Sequence, residues 1–108
     1  MKGVFLVEEN FEEFMKENRL SDNSRSSYLN DLKIFKQYYL DSYGEELNQL
    51  IHTDVLMYVN FLKREGMKAT TINRKLAALK QYNLFLIKQK IQTDIVILDK
   101  DYIKIQPS

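Results

Sequence analysis

GMKATTINRKLAALKQYNLFLIKQK, residues Gly66 to Lys90, differs in composition from everything around it. It holds Lys68, Arg74, Lys75, Lys80, Lys88 and Lys90 and no acidic residue, a charge of +6 in a chain whose net charge is +1, so the remainder carries −5. Ile72, Leu76, Leu79, Tyr82 and Leu86 recur at steps of three and four, the spacing of a helix with one buried stripe. Thr70, Asn73, Arg74 and Gln81 then point elsewhere. Hydroxyl, amide and guanidinium groups on the opening turns of such a helix suit the major groove of DNA, where they can reach base edges.

The totals agree with one small domain. At 108 residues and 44% apolar composition the chain can bury a single core without metal or disulfide support. The absence of cysteine removes thiol catalysis, zinc fingers and disulfide frameworks. The only early apolar run, Val4 to Val7 behind Lys2, is too short for a signal peptide or a membrane span, so a soluble, unexported, cytoplasmic protein is expected. Residues 1 to 51 hold six basic and ten acidic side chains, whereas 67 to 90 hold six basic and none acidic. That division bears on partners more than the sum does.

Glycine occurs only at positions 3, 44 and 66 and proline only at 107, so little interrupts a helix and the chain reads as all-α. A first helix is predicted over about Val7 to Asn18, with Val7, Phe11, Phe14 and Met15 inward and Glu8, Glu9, Glu12 and Glu13 on its first turns, complementing the helix dipole. Ser21, Asp22 and Asn23 offer caps for a second helix running to about Ser42, with Tyr28, Leu32, Phe35 and Tyr39 as its buried row and Gly44 ending it. Its first turns present Ser24, Arg25, Ser26, Ser27 and Asn30. Leu47 to Ile51 reads as a connection that packs Leu50 and Ile51 on the core. Thr53 is expected to cap a third helix reaching about Glu65, with Val55, Tyr58, Val59 and Leu62 inward and Gly66 closing it. His52, the sole histidine, has no second ligand or base beside it in sequence and reads as a surface residue. After the fourth helix, Ile91 to Ser108 can be a short helix, an extended strap or a linker; periodicity does not separate these.

Three runs together resemble the N-terminal core-binding domain of tyrosine recombinases, or phage integrases. Asn23-Ser-Arg-Ser-Ser-Tyr-Leu-Asn-Asp-Leu32 followed by Phe35 is similar to that family's serine/threonine, tyrosine, Asp-Leu and phenylalanine series. Thr53-Asp54-Val55, Tyr58, Leu62 and Gly66 resemble its third helix, and Thr71-Ile-Asn-Arg-Lys-Leu-Ala-Ala-Leu79 its most recognisable run. Lys68 and Gln92-Thr93 depart from the pattern, which often has serine and Asn-Pro there. The resemblance implies a SAM-like bundle of four or five helices over residues 1–92, an exit strap or linker over 93–108, and a separate catalytic domain. It also implies that the second and fourth helices face the major groove of a core recombination site, through Ser26, Ser27, Asn30, Thr70, Asn73 and Arg74. Lys68 and Lys75 would be phosphate anchors, and other recombinase protomers would be partners on DNA.

The chemistry of these types is consistent with that role. Arg74 can bind guanine or clamp a phosphate, Asn73 can pair with adenine, and lysines add salt-dependent affinity by counterion release. The family's catalytic arginines, lysine, histidine-type acid and tyrosine nucleophile cannot be assembled here, so no catalytic residue, cofactor or metal is expected in this chain, whose free form should be monomeric. A helical adaptor anchored by Tyr38, Tyr43 or Phe61 is the alternative. A small enzyme is the weakest reading, because the acids sit on helix starts and not in an apolar pocket. The nucleic-acid reading requires Arg74 and Lys75 to face solvent, unburied and not neutralised by the acids of the first helix.

Overall fold

The computed structural model describes residues 4–105, with side chains from residue 10 onward. Four helices, α1 (Val4–Glu17), α2 (Asp22–Tyr43), α3 (His52–Arg64) and α4 (Ala69–Lys88), are followed by a strap containing one 3-10 turn, Asp99–Asp101, and no strand occurs among the described residues. Helix α4 packs most extensively on α2 and also touches α1 and α3, so it is the central element.

The helix ends follow local chemistry. Ser21, in extended conformation, caps α2 by accepting the Ser24 N–H at 3.1 Å. Gly44 ends the same helix in the left-handed region, at φ 73°, donating its N–H to the Leu40 carbonyl. Past α3, Gly66 is left-handed and the Met67 N–H returns to the Leu62 carbonyl at 3.1 Å, the six-to-one bond of a Schellman ending. Helices α1 and α4 end the same way with non-glycine residues, Arg19 and Lys90, at φ near 60°. The chain there accepts the Cβ crowding that glycine would avoid.

Most of the predicted core is buried: Phe11, Met15, Leu32, Phe35, Tyr39, Leu50, Val55, Tyr58, Val59, Leu62, Ile72, Leu76, Leu79, Tyr82 and Leu86. Aromatic rings dominate the α2/α3 side. Phe35 meets Tyr58 edge-on at 4.8 Å, and Tyr38 lies 4.7 Å from Tyr58 and 4.9 Å from Phe61 between ring centroids.

Several expectations are corrected. Helix α1 begins at Val4, so no acidic residue lies in its first turn, while the inward placement of Val7 and the side chains of Glu8 and Glu9 fall outside the described residues. Tyr28 and Phe14 are only half-buried, and Ile51 is exposed, because it stands at the extended N-cap position of α3 and projects away from the core. Thr53 is not the cap of α3: the helix starts one residue before it, and no side chain caps it. Tyr38 and Phe61 are half-buried within the aromatic cluster, which denies them the freedom of protruding anchors.

The C-terminal segment is a strap. From the end of α4 it turns back along the bundle, buries Ile97 completely and lays Val96, Tyr102 and Ile103 against the core. His52 is also corrected. Its Nε2 lies 3.0 Å from both carboxylate oxygens of Asp101, whose side chain is buried and also accepts the Leu98 N–H. The histidine thus ties the start of α3 to the strap.

Candidate nucleic-acid interface

The third turn of α2 and the second turn of α4 are joined by one buried carboxylate. Asp31, with a side chain 1% exposed, accepts Arg74 Nε at 3.0 Å and Nη2 at 2.8 Å in a two-point pair, and also accepts Lys75 Nζ at 3.2 Å. The bond to Asp31 raises the guanidinium's pKa further and keeps it charged, against a smaller opposing effect of burial. Two cations around one anion leave the trio at +1, on the side where Arg74 is 47% exposed.

Helix geometry explains the arrangement. Positions 72, 75, 76 and 79 fall on one face of α4, so Lys75 lies on the core stripe between Ile72 and Leu79. An ammonium there requires a counter-charge, and Asp31 supplies it from the buried row of α2. Arg74 is one step round the helix, at the margin of that contact. It uses two of its five N–H donors on Asp31, which fixes the plane of the group and leaves three not used in that pair.

The structure places the remaining candidates unequally. Lys68, Thr70, Ser26 and Asn30 are exposed; Ser27 is half-buried, one turn before Asp31, as Thr70 is one turn before Arg74. Lys68 is the N-cap of α4, and no side chain caps that end, so the first amides of the helix are available to an anion. Asn73 is committed elsewhere: Oδ1 accepts the Ile103 N–H at 2.8 Å and Nδ2 donates to the Ile103 carbonyl at 2.9 Å. Lys75, 6% exposed, is a buried partner of Asp31 and not a solvent-facing phosphate anchor. The requirement that both Arg74 and Lys75 be free therefore holds for neither fully. The neutralising acid comes from α2 and not from α1, and half of the Arg74 side chain remains accessible.

Of the other cations in the stretch, Lys88 pairs with Glu17 at 3.1 Å on the surface, a contact that contributes little. Lys68, Lys80 and Lys90 form no ion pair among the described residues. Beside them, sequence reasoning missed the role of Arg25, named only among the polar groups on the first turns of α2: the guanidinium pairs with Asp22 and donates to the Leu20 carbonyl at 2.7 Å, holding the turn between α1 and α2. It also missed Asn83, fully buried, whose amide receives the strap. For Asn83 the available signal was its position: a polar residue at a buried helical position must have a partner.

Among the described residues no group of three or more potential ligands could hold a metal ion, and no helix is long and apolar enough to cross a membrane. Ile34, Gln37, Tyr38, Asp41, Ser42, Phe61 and Arg64 line an open groove of about 630 Å³ between α2 and α3.

Comparison with known proteins places this architecture. Residues 7–90 match the model of the phage integrase N-terminal SAM-like domain. The chain is 32% identical over 101 residues to the TnP I resolvase of Bacillus thuringiensis, covering 93% of this chain and 36% of that protein. It is 30% identical over 91 residues to the tyrosine recombinase XerD of Oceanobacillus iheyensis (83% of this chain, 31% of that one). It is 27% identical over 89 residues to the tyrosine recombinase XerC of Listeria innocua (82% and 30%). The chain thus spans about a third of the length of the curated relatives it matches. No solved structure matches it. With four helices in the expected order, and with two of the three runs that carried the resemblance joined through Asp31, the chain belongs to the phage integrase N-terminal SAM-like domain family.

Proposed function

We propose that this chain is the DNA-binding module of a site-specific tyrosine recombinase, holding the core recombination site while a separate C-terminal domain cleaves and exchanges the strands. Residues 1–92 form the binding unit, and 93–108 lead toward the catalytic part. The observation that carries this reading is the Arg74 guanidinium, half-exposed at the seam of α2 and α4 and held in one orientation by Asp31. A pre-oriented arginine loses less side-chain freedom on binding and can donate bidentately to a guanine edge or a phosphate. Lys68 and the uncapped first amides of α4 are suited to the phosphate backbone, while Ser26, Ser27 and Asn30 on α2 before Asp31, and Thr70 on α4 one turn before Arg74, offer short hydrogen-bonding groups.

In this reading Lys75 and Asn73 act behind the contact surface, one by sharing Asp31 and the other by holding the strap. Other protomers join on DNA, and the catalytic groups belong to the remainder of the parent recombinase.

The test is duplex binding to a core-site DNA across a salt series. Arg74→Ala and Lys68→Ala should each weaken binding and lower the slope of log affinity against log salt by about 1 where a phosphate contact is lost. Lys75→Met should change stability and leave the slope alone. A salt-independent response, or no loss with Arg74→Ala and Lys68→Ala combined, would overturn the reading.

A further inference from the structure

The polar side chains that tie the strap to the bundle share one geometry. Asn83 Oδ1 accepts the Val96 N–H at 2.7 Å while its Nδ2 donates to the Asp94 carbonyl at 3.0 Å. Gln92 Oε1 accepts the Leu50 N–H at 2.9 Å, with Nε2 directed at the Leu50 carbonyl at 3.4 Å. Asn73 makes the corresponding pair with Ile103 at 2.8 and 2.9 Å. Each amide offers a backbone segment one acceptor and one donor, as a neighbouring strand would. Between these clamps Ile97 fills the core, and His52 holds Asp101 at 3.0 Å.

The clamps set where the chain leaves the bundle. Helix α4 ends at Lys88, fifteen positions beyond Asn73, which at 1.5 Å per residue is about 22 Å along the helix axis. Released at Lys88, whatever follows would depart from the end of α4 remote from Arg74. Instead the strap runs back along α4, first to Asn83 and then, a further ten residues or about 15 Å toward the N-terminus, to Asn73. Ile103 is therefore fixed beside the neighbour of Arg74. Beyond this clamp Lys104 and Ile105 are exposed.

We propose that Asn73 is a positioning residue that pins Ile103 to the first turns of α4, so that the chain exits the domain at its DNA-facing end and in a fixed direction. The functional meaning rests on the DNA-binding reading above; the latch itself does not. An amide with its oxygen and nitrogen both engaged by Ile103 has no bidentate edge to offer adenine, so Asn73 keeps the strap in the complex and does not read sequence.

The chain has no cysteine, so cysteines introduced at Asn60→Cys, exposed on α3, and Ile105→Cys carry spin labels at unique positions. The distance distribution between them should be narrow in the parent. Asn73→Ala should broaden it and speed exchange of the Ile103 amide by at least tenfold, while amides of Leu76 and Leu79 keep their protection. An unchanged distribution with Asn73→Ala would overturn the proposal. Should that variant not fold, Ile103→Pro removes the strap-side donor without touching α4, and it must produce the same broadening.

Added core-site duplex separates the two readings. A narrow distribution with duplex bound, and duplex affinity of Asn73→Ala within about twofold of the parent, support the positioning role. Broadening on binding, or a loss beyond tenfold while the strap stays ordered, overturns it. If no duplex binds, the DNA-binding reading fails, and the label and exchange measurements on the free protein still decide the latch.

Discussion

The two halves of α2 hold the bundle by different physics. Just before its midpoint, Asp31 binds Arg74 and Lys75 of α4 through three directed bonds around one buried carboxylate. One to two turns later Phe35 and Tyr38 meet Tyr58 and Phe61 of α3, and Tyr39 meets Tyr43 of α2 itself, through ring faces and edges with centroids 4.6 to 4.9 Å apart. Ionic bonds in a low-dielectric interior depend on every partner being present, whereas ring packing depends on area and volume. The first half is consequently intolerant of small chemical changes and the second tolerant of them. That contrast matches the roles proposed for the two ends: the charged end must hold a guanidinium in one orientation, and the aromatic end need only hold helices together.

The largest expected effect tests the ionic half. Asp31→Ala leaves the Lys75 ammonium buried without a counter-charge and should cost about 3 to 5 kcal/mol by urea unfolding. Adding Lys75→Met to that variant should recover part of the loss, because the uncompensated charge is gone. A cost no larger than that of an exposed substitution would erase the distinction.

The next effect lies where the two halves meet. The Tyr58 hydroxyl is buried with no hydrogen-bond partner among the described residues, and its pKa is pushed up to about 12, first by burial and then by the charge of Asp31. A phenol with a folded pKa above its unfolded value of 10.0 favours folding of the neutral form. Its contribution is intact below pH 10.0 and declines as pH rises toward 12, by about 2 to 3 kcal/mol over that window. Tyr58→Phe should flatten this part of the alkaline unfolding profile and change neutral-pH stability by no more than about 1 kcal/mol. Tyr39, Tyr43 and Tyr102, whose pKa values are also raised, chiefly by burial, contribute to the remaining slope.

Tolerance in the aromatic half should show as a small number. Tyr38→Phe keeps the ring contacts and should cost less than about 1.5 kcal/mol by thermal unfolding; a loss comparable to that of Asp31→Ala would mean that the cluster also depends on directed bonds. Smallest is a gain. Arg19→Gly relieves a left-handed backbone at φ 63° and should stabilise by at most about 1 kcal/mol, since glycine's extra freedom when unfolded offsets part of the relief.

The apolar framework was legible because helical period and burial coincide: nearly every residue assigned inward on α2, α3 and α4 is inward. The binding surface was less so. The resemblance makes Lys75 a phosphate anchor, whereas its spacing from Ile72 and Leu79 puts it on the buried face, and there period outweighs charge. Asp31 stood in a quoted motif, yet its partners lie 43 and 44 positions away, and no local pattern names them. The base contact that the resemblance implies for Asn73 supposes a free amide, and no local pattern shows that Ile103, thirty positions away, engages it.

By itself, then, the order of apolar and capping residues determined the helices, their buried stripes and the excess of cations on the last of them, because these follow from periodicity within about twenty residues. Only the tertiary structure decided which of those cations and amides meet solvent. The carboxylate that consumes Lys75 and orients Arg74, and the strap that occupies Asn73, come from distant parts of the chain, and a side chain's availability is set by what is brought against it.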